Sequence, residues 1–402
     1  MIQEQGARLE GVRKANLGSV LRLAHHHGPL SRAELTARTG LNRSTIADLV
    51  STLVSEGLLN EGDPIPTRRV GRPSPSVSPS STVAAISLNP EVDSIEIAAV
   101  GLGGNVLARK REVAEKVPSP AETIATAERV IADWRSAELA NVRIVGVGVA
   151  VPGLVRESDA VVRLAPHLGW REVEFGAQLS ERLGLPVAVG NDASYGALAE
   201  WLFGAAQGYE HVVYLNGGPS GIGGGLILHG RPIRGAGGYA GEWGKNAPTV
   251  NAPVDNRSGT VLEDEVNRRR LTELVGLTAP DDIELAEALD RDDTRVTAEI
   301  RRQQHLLAGA LANAINTLNP AIIVLGGFLA ILHRADPDLL ESCITELALP
   351  VPTEDVTIAA AALGTDRLHI GAAEMVFSDL FGDPLANLAV GARAAAETVS
   401  RS

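Results

Sequence analysis

Apolar positions between residues 17 and 53 fall into short helical stripes separated by breakers. Leu17, Val20, Leu21 and Ala24 recur at i, i+3, i+4 and i+7, one face of a helix, and Gly28-Pro29 ends it. Ser31-Arg32-Ala33-Glu34 opens a second helix with a capping box, in which Ser31 and Glu34 satisfy each other's free backbone N–H groups, and Gly40 stops it. Asn42 is a good N-cap for a third helix, with Leu41 placed to staple against Ile46. Ile46, Leu49, Val50 and Leu53 form the apolar face of that helix, which ends at Glu56-Gly57. Three short helices with a tight turn between the second and third predict a helix-turn-helix. Leu58 to Glu61 and the stretch around Arg68-Arg69-Val70 predict a two-stranded wing.

Residues 71–82 are rich in proline and serine and have no apolar period, which is linker chemistry. From residue 83 the pattern changes to apolar runs punctuated by glycine. Residues 83–88 and 95–100 read as paired strands, 120–139 as a helix, and 144–151 as a buried strand opening into a loop at Pro152-Gly153. Strands at 186–189, 212–215, 223–228 and 322–325 alternate with helices from Ala193 and near 296–317. This alternation predicts an α/β fold with helices covering mixed sheets. The expected organisation is therefore a winged helix-turn-helix over 1–70, a linker over 71–82, and an α/β part over 83–402.

Charge sharpens this division. The 402-residue chain carries a net charge of −13, which as an average argues against nucleic acid. The first eighty residues, however, hold ten basic groups against seven acidic ones, leaving −16 for the remainder. The expectation is a mildly basic DNA reader joined to an acidic partner domain. Ordinary globular composition, with 45% hydrophobic and 21% charged residues, excludes whole-chain disorder. No run approaches the roughly 18 apolar residues of a membrane span, and Gln3, Glu4 and Gln5 do not resemble a signal peptide, so a cytoplasmic location with no membrane partner is expected. The single cysteine, Cys343, excludes a disulfide framework within the chain and any Cys-only metal site. His25, His26 and His27 are consecutive on a helix, point in different directions, and are expected at an exposed helix end rather than around a metal.

In a helix-turn-helix the first turn of the third helix meets base edges in the major groove. Here that turn offers Asn42, Arg43, Ser44 and Thr45, and Arg32, Arg68, Arg69 and Arg72 add cations for phosphate contacts. In the acidic part three segments have chemical content. Asn191-Asp192-Ala193 follows a buried strand, where α/β proteins hold ligands, although the Asp would also suit a helix N-cap. Ser220-Gly221-Ile222-Gly223-Gly224-Gly225 is a glycine loop whose N–H groups can converge on an anion. Gly237 to Gly244 is a second glycine-dense loop, carrying the carboxylate of Glu242.

Taken in order, Val151-Pro152-Gly153-Leu154, residues 165–170, Asn191-Asp192-Ala193, Ser220 to Gly225, Gly241-Glu242-Trp243-Gly244 and Asn319-Pro320 to Gly326-Gly327 resemble successive segments of the ROK family of repressors, open reading frames and sugar kinases. The resemblance spans nearly the whole chain and implies a two-lobed, actin-like or hexokinase-like fold with a sugar in the cleft. The N-terminal helix-turn-helix resembles the repressor branch. By the same resemblance Gly153, Asn191, Asp192, Glu242 and Glu263 contact sugar hydroxyls, and His167 stands where an asparagine is usual. Two departures bear on activity. The phosphate-holding Asp-x-Gly-x-Thr turn of the kinases is replaced by Ser87-Leu88-Asn89-Pro90-Glu91, where proline removes a donor N–H and Glu91 opposes phosphate. The zinc-binding His and Cys positions of the family fall on Lys245, Val254, Asn256 and Val261, so no metal is expected. Lys245 either admits an acidic or phosphorylated sugar or pairs with Glu242 or Glu263.

The resulting expectation is a repressor that binds operator DNA, responds to a carbohydrate effector, needs no cofactor, and acts as a homodimer or homotetramer. The alternative is a sugar kinase with Asp192 as general base.

Overall fold

A computed structural model of the chain describes residues 2–63, 75–247 and 261–388. The N-terminal unit contains α1 (Ile2–His27), β1 (Leu30–Ser31), α2 (Arg32–Thr39), α3 (Arg43–Ser55), β2 (Leu59–Gly62) and β3 (Ser76–Pro79). Its local signals act as expected: Ser31 and Glu34 form a capping box on α2, Gly40 closes it in the left-handed conformation, and Asn42 caps α3 by accepting from the Thr45 N–H. The stripes Leu17, Val20, Leu21, Ala24 and Ile46, Leu49, Val50, Leu53 are buried against one another.

The wing departs from expectation. Its three strands run in the order β1-β3-β2, and the partner of β2 is Ser76–Pro79, inside the stretch expected to be a linker. The reason lies in the alternation Ser-Val-Ser-Pro, a period-two pattern that buries Val77 completely while its neighbours stay partly open. Residues 68–70 lie outside the described residues.

The remainder is built from the same topology used twice. The first sheet has the order β11-β7-β4-β5-β6, from β4 (Val83–Pro90), β5 (Ser94–Gly101), β6 (Val106–Val113), β7 (Arg143–Val151) and β11 (Val187–Asn191). An antiparallel meander β4-β5-β6 is extended by β7, parallel to β4, and by β11, parallel to β7. Helices α4 (Pro120–Ser136) and α5 (Phe175–Leu183) cover its outer face, and a small sheet of β8 (Leu154–Arg156), β9 (Val161–Ala165) and β10 (Trp170–Val173) adjoins it.

In the second sheet β12 (Val212–Gly218), β13 (Gly221–Leu228) and β14 (Arg231–Pro232) form the meander, extended in parallel by β15 (Ile322–Gly327) and β16 (Thr357–Ala360). Its outer layer comprises α7 (Leu262–Glu265), α8 (Arg268–Val275), α9 (Asp282–Leu289), α10 (Thr294–Leu318), α11 (Phe328–Ala335), α12 (Pro337–Leu347) and α13 (Pro350–Glu354). No helix of the described residues is long and apolar enough to cross a membrane.

Two helices, α6 (Asp192–Phe203) and α14 (Arg367–Gly382), form the layer between the sheets. α6 packs on β12 and β13, α14 on β4 and β7, and the two pack on each other. They touch at backbone distance, since a Cβ on Gly371 would lie 2.0 Å from the Tyr195 carbonyl oxygen. α14 also meets α1 closely: a Cβ on Gly18 would lie 1.9 Å from the Phe381 carbonyl oxygen. The core of the helix-turn-helix is therefore continuous with α14 and the first sheet, joining Leu17, Leu21 and Leu53 to Val83, Phe377 and Phe381 in one cluster. The N-terminal unit is fused to its neighbour by packing rather than tethered by a linker.

Candidate functional site

At the N-terminal surface Arg43 and Ser44 are exposed in the first turn of α3, and Thr45 is half-buried beside them. Asn42 is exposed, but its Oδ1 is taken by the Thr45 N–H at 2.9 Å and the Ser44 hydroxyl at 2.7 Å, so its amide N–H groups are the part left to outside acceptors. Arg32 makes a two-pronged pair with Glu61 at 2.6 and 2.8 Å, which ties α2 to the wing strand and occupies the cation expected to meet phosphate. Arg68, Arg69 and Arg72 lie outside the described residues.

The seven residues expected to contact an effector line one cavity of about 240 Å³. Four come from strand ends and a strand connection, Gly153 after β7, His167 between β9 and β10, and Asn191 and Asp192 where β11 passes into α6; Glu242 lies in the second glycine-dense loop with Lys245 just after it, and Glu263 in α7. The cap on α6 falls to Asn191, whose Oδ1 accepts from the Ser194 N–H while its Nδ2 donates to the Gly153 carbonyl. That division of labour leaves Asp192 facing the cavity. Burial raises the Asp192 carboxyl to about 7, against a stabilising backbone N–H from Ala193 and with help from the Glu242 charge. Glu242 is itself pushed up by burial and by Glu263.

Lys245 forms an ion pair with Glu263, the internal pairing that was one of the two options for this lysine. The glycine loop holds an anion of the protein's own making: Glu263 accepts from the Ile222 N–H at 3.2 Å. A Cβ on Gly221 or Gly244 would stand 2.5 Å from the Glu263 carboxylate, so both positions must be bare for it to fit. Of the positions matching the family's zinc ligands, Val261 precedes α7 with no donor atom, and Val254 and Asn256 lie outside the described residues.

Of the histidine run, His27 is exposed as expected and His26 is half-buried, but His25 contradicts its expected exposure. His25 is 2% exposed, and Glu374 of α14 enters between two consecutive side chains, accepting from His25 Nε2 and His26 Nε2 at 2.8 Å each. Burial opposes ionisation of Glu374, but the two imidazoles outweigh it and hold its pKa at about 2, while burial lowers that of His25. His25, His26 and Glu374 have the composition of a metal site, yet their polarity is wrong for one. His25 Nδ1 accepts from the Gly103 N–H at 2.9 Å, which places the ring proton on Nε2, the atom that would have to bind the ion. The group is a clasp between α1 and α14. No local pattern announces it, because its partners lie 349 and 348 residues apart.

Comparison with known proteins places these features in a family. The ROK family profile matches residues 86–378, and the profile of the IclR helix-turn-helix domain matches residues 20–62. A putative xylose repressor of Caldicellulosiruptor sp. (strain Rt8B.4) is 26% identical over 394 residues, covering 93% of this chain and 98% of the relative. The DNA-binding transcriptional dual regulator NagC of Escherichia coli (strain K12) is 26% identical over 400 residues, covering 93% and 95%. A crystal structure of a ROK family transcriptional regulator, a homologue of the E. coli MLC protein, shares the fold with a TM-score of 0.74 at 24% identity, covering 94% of this chain and 99% of that one.

Proposed function

Because the chain belongs to the ROK family and carries an IclR-type helix-turn-helix, we propose that it is a transcriptional repressor of sugar-utilisation genes whose operator affinity is set by a carbohydrate bound in the cleft around Asp192. The observation that carries this reading is the physical continuity between reader and cleft. Asp192 begins α6, α6 packs on α14 through Gly371, and α14 packs on α1 through Gly18 and the Glu374 clasp. A change of lobe closure at the cleft moves α6 against α14 and reaches the reader through packed backbone.

In the reader, α3 enters the major groove with Arg43, Ser44 and the Asn42 amide toward bases and phosphates. Two-fold symmetric half-sites call for at least a dimer. In the cleft, a set of carboxylates and amides suits the paired donors and acceptors of a polyol. Sugar and DNA then oppose each other by one linkage factor, each lowering the affinity for the other equally. Xylose and N-acetylglucosamine, for which the relatives above or their kin are named, are the first sugars to assay.

The test is a gel shift with DNA upstream of the chain's own and neighbouring genes, with and without those sugars. Retarded DNA released by one sugar is expected; absence of specific DNA binding would refute the reading. A second reading, sugar kinase, is favoured by Asp192 alone, whose elevated pKa suits a general base. Glu91, in the turn after β4, weighs against it. An ATP-coupled assay showing sugar phosphorylation that Asp192→Asn abolishes would establish the kinase instead.

A further inference from the structure

The duplicated topology brings two equivalent turns face to face. Glu91 lies in the turn that follows β4, the first strand of one sheet, and Ser220 in the turn that follows β12, the first strand of the other. The Ser220 hydroxyl donates to the Glu91 carboxyl at 2.7 Å, a side-chain bond joining the two lobes, which the Arg234–Glu157 ion pair also links. Glu91 is 6% exposed, and a Cβ on Gly218 would lie 3.8 Å from its other oxygen.

This bond stands on a boundary. On one side is the 240 Å³ cavity, to which Ser220 contributes; on the other is a cavity of about 410 Å³, to which Glu91 contributes. Gly218 is the one residue that lines both. The larger cavity holds four arginines, each with a carboxylate partner: Arg109 with Glu96 and Asp366, Arg111 with Asp93 and Glu96, Arg268 with Asp282, and Arg367 with Asp282 and the Asn216 amide oxygen; the Nε of Arg268 has no acceptor among the described residues. On the smaller side Glu242 and Asp192 face the ligand space, and its one lysine is neutralised by Glu263. Among the described residues, an anionic group placed in either cavity near the boundary would meet carboxyl groups, and the arginines and the lysine there already have carboxylate partners.

We propose that Glu91, latched to Ser220 across the lobes, is a specificity-determining residue that closes the inner end of the effector cavity and restricts the effector to an uncharged sugar, excluding sugar phosphates. This deepens the reading of the cleft as a carbohydrate site and rests on it. Burial and the nearby Asp192 raise the Glu91 carboxyl to about 8; a phosphate oxygen approaching the latch would break a satisfied hydrogen bond and face the carboxyl groups of Asp192 and Glu242.

The experiment is calorimetry on the full chain with D-xylose, D-glucose, N-acetyl-D-glucosamine, glucose 6-phosphate and N-acetylglucosamine 6-phosphate as probes. Each is titrated into the wild type, Glu91→Gln and Glu91→Ala, with circular dichroism to confirm folding. The wild type is expected to bind a neutral probe and to bind its 6-phosphate roughly a hundredfold more weakly or not at all. Glu91→Gln keeps an acceptor for Ser220 and is expected to retain this preference, whereas Glu91→Ala opens the partition and narrows it by about tenfold or more. A 6-phosphate that binds the wild type as tightly as its parent sugar overturns the proposal while leaving the carbohydrate site standing. An unchanged preference in a folded Glu91→Ala variant removes the role from Glu91. Binding of no sugar of either kind overturns the underlying carbohydrate reading itself.

Discussion

Replacing Glu374 with alanine isolates the junction between reader and sensor. The side chain is 5% exposed and accepts two imidazole N–H groups at 2.8 Å, so its removal leaves both donors without their acceptor in the core. Its pKa falls from 4.5 to about 2 on folding, which corresponds to about 3 kcal/mol of stability at neutral pH. Leaving two donors in the core without their acceptor costs about 1–3 kcal/mol each, which is the same range. A depressed carboxyl pKa stabilises above the unfolded value, so the contribution is complete above pH about 4.5 and is lost as pH falls toward 2. His25 acts in the same sense: its lowered pKa makes acidification below 6.5 favour the unfolded chain. Urea unfolding followed by circular dichroism should therefore show wild type and Glu374→Ala about 3 kcal/mol apart at pH 7, with the gap closing below pH about 4.5. Glu374→Gln, which keeps one acceptor and turns an N–H toward the other imidazole, should fall between them. A difference under about 1 kcal/mol at pH 7, within the range of an ordinary hydrogen bond, would refute the clasp.

Other outcomes follow from the same geometry. Arg43→Glu should weaken operator binding and flatten its dependence on salt by about one counterion, while calorimetry with sugar is unchanged; equal loss of both functions would contradict separate sites. Asp192→Asn should abolish the sugar response and stabilise the folded protein in thermal melts above pH about 7, because a buried carboxyl whose pKa rises from 3.8 to about 7 costs stability as pH rises through that window. The gain should reach up to about 4 kcal/mol, and a destabilised variant would show that Asp192 is paired. Gly18→Val should part α1 from α14, since bringing a 1.9 Å approach to an ordinary 3.4 Å contact requires 1.5 Å of movement. The expected cost is about 1–3 kcal/mol, with loss of sugar-induced release in gel shifts; release unchanged from wild type would move the coupling elsewhere.

The order of strands and helices was legible because it depends on short-range rules, whereas the seven residues that line the cleft were pointed to mainly by the family resemblance. Capping boxes, glycine stops and apolar periods act within a few residues, and Asn42 and Ser31 cap where their spacing says they should. A strand end followed by Asn191-Asp192 marks a ligand position in any α/β protein. Even so, which of the two would cap the helix and which would face the cavity depended on the Gly153 carbonyl, brought in from 38 residues away.

Where composition competed with pattern, composition misled: Ser76–Pro79 has linker chemistry and strand alternation, and the unpaired edges of β1 and β2 decided for the strand. The charge of −13 divided correctly into two unlike parts, but it could not show that the parts share a core. That was settled by Gly18, Gly371 and Glu374, whose partners Phe381, Tyr195 and the two histidines lie far away in the chain. In the same way Lys245 and the glycine loop could each be read alone as ready for an external anion, until the fold placed the Glu263 carboxylate against them. The sequence by itself determined which segments become helices, strands and turns, because those choices are made by neighbouring residues. Only the tertiary structure decided which charges remain free and how the reader is joined to the cleft, because electrostatic pairing and backbone close packing depend on distances that local sequence does not encode.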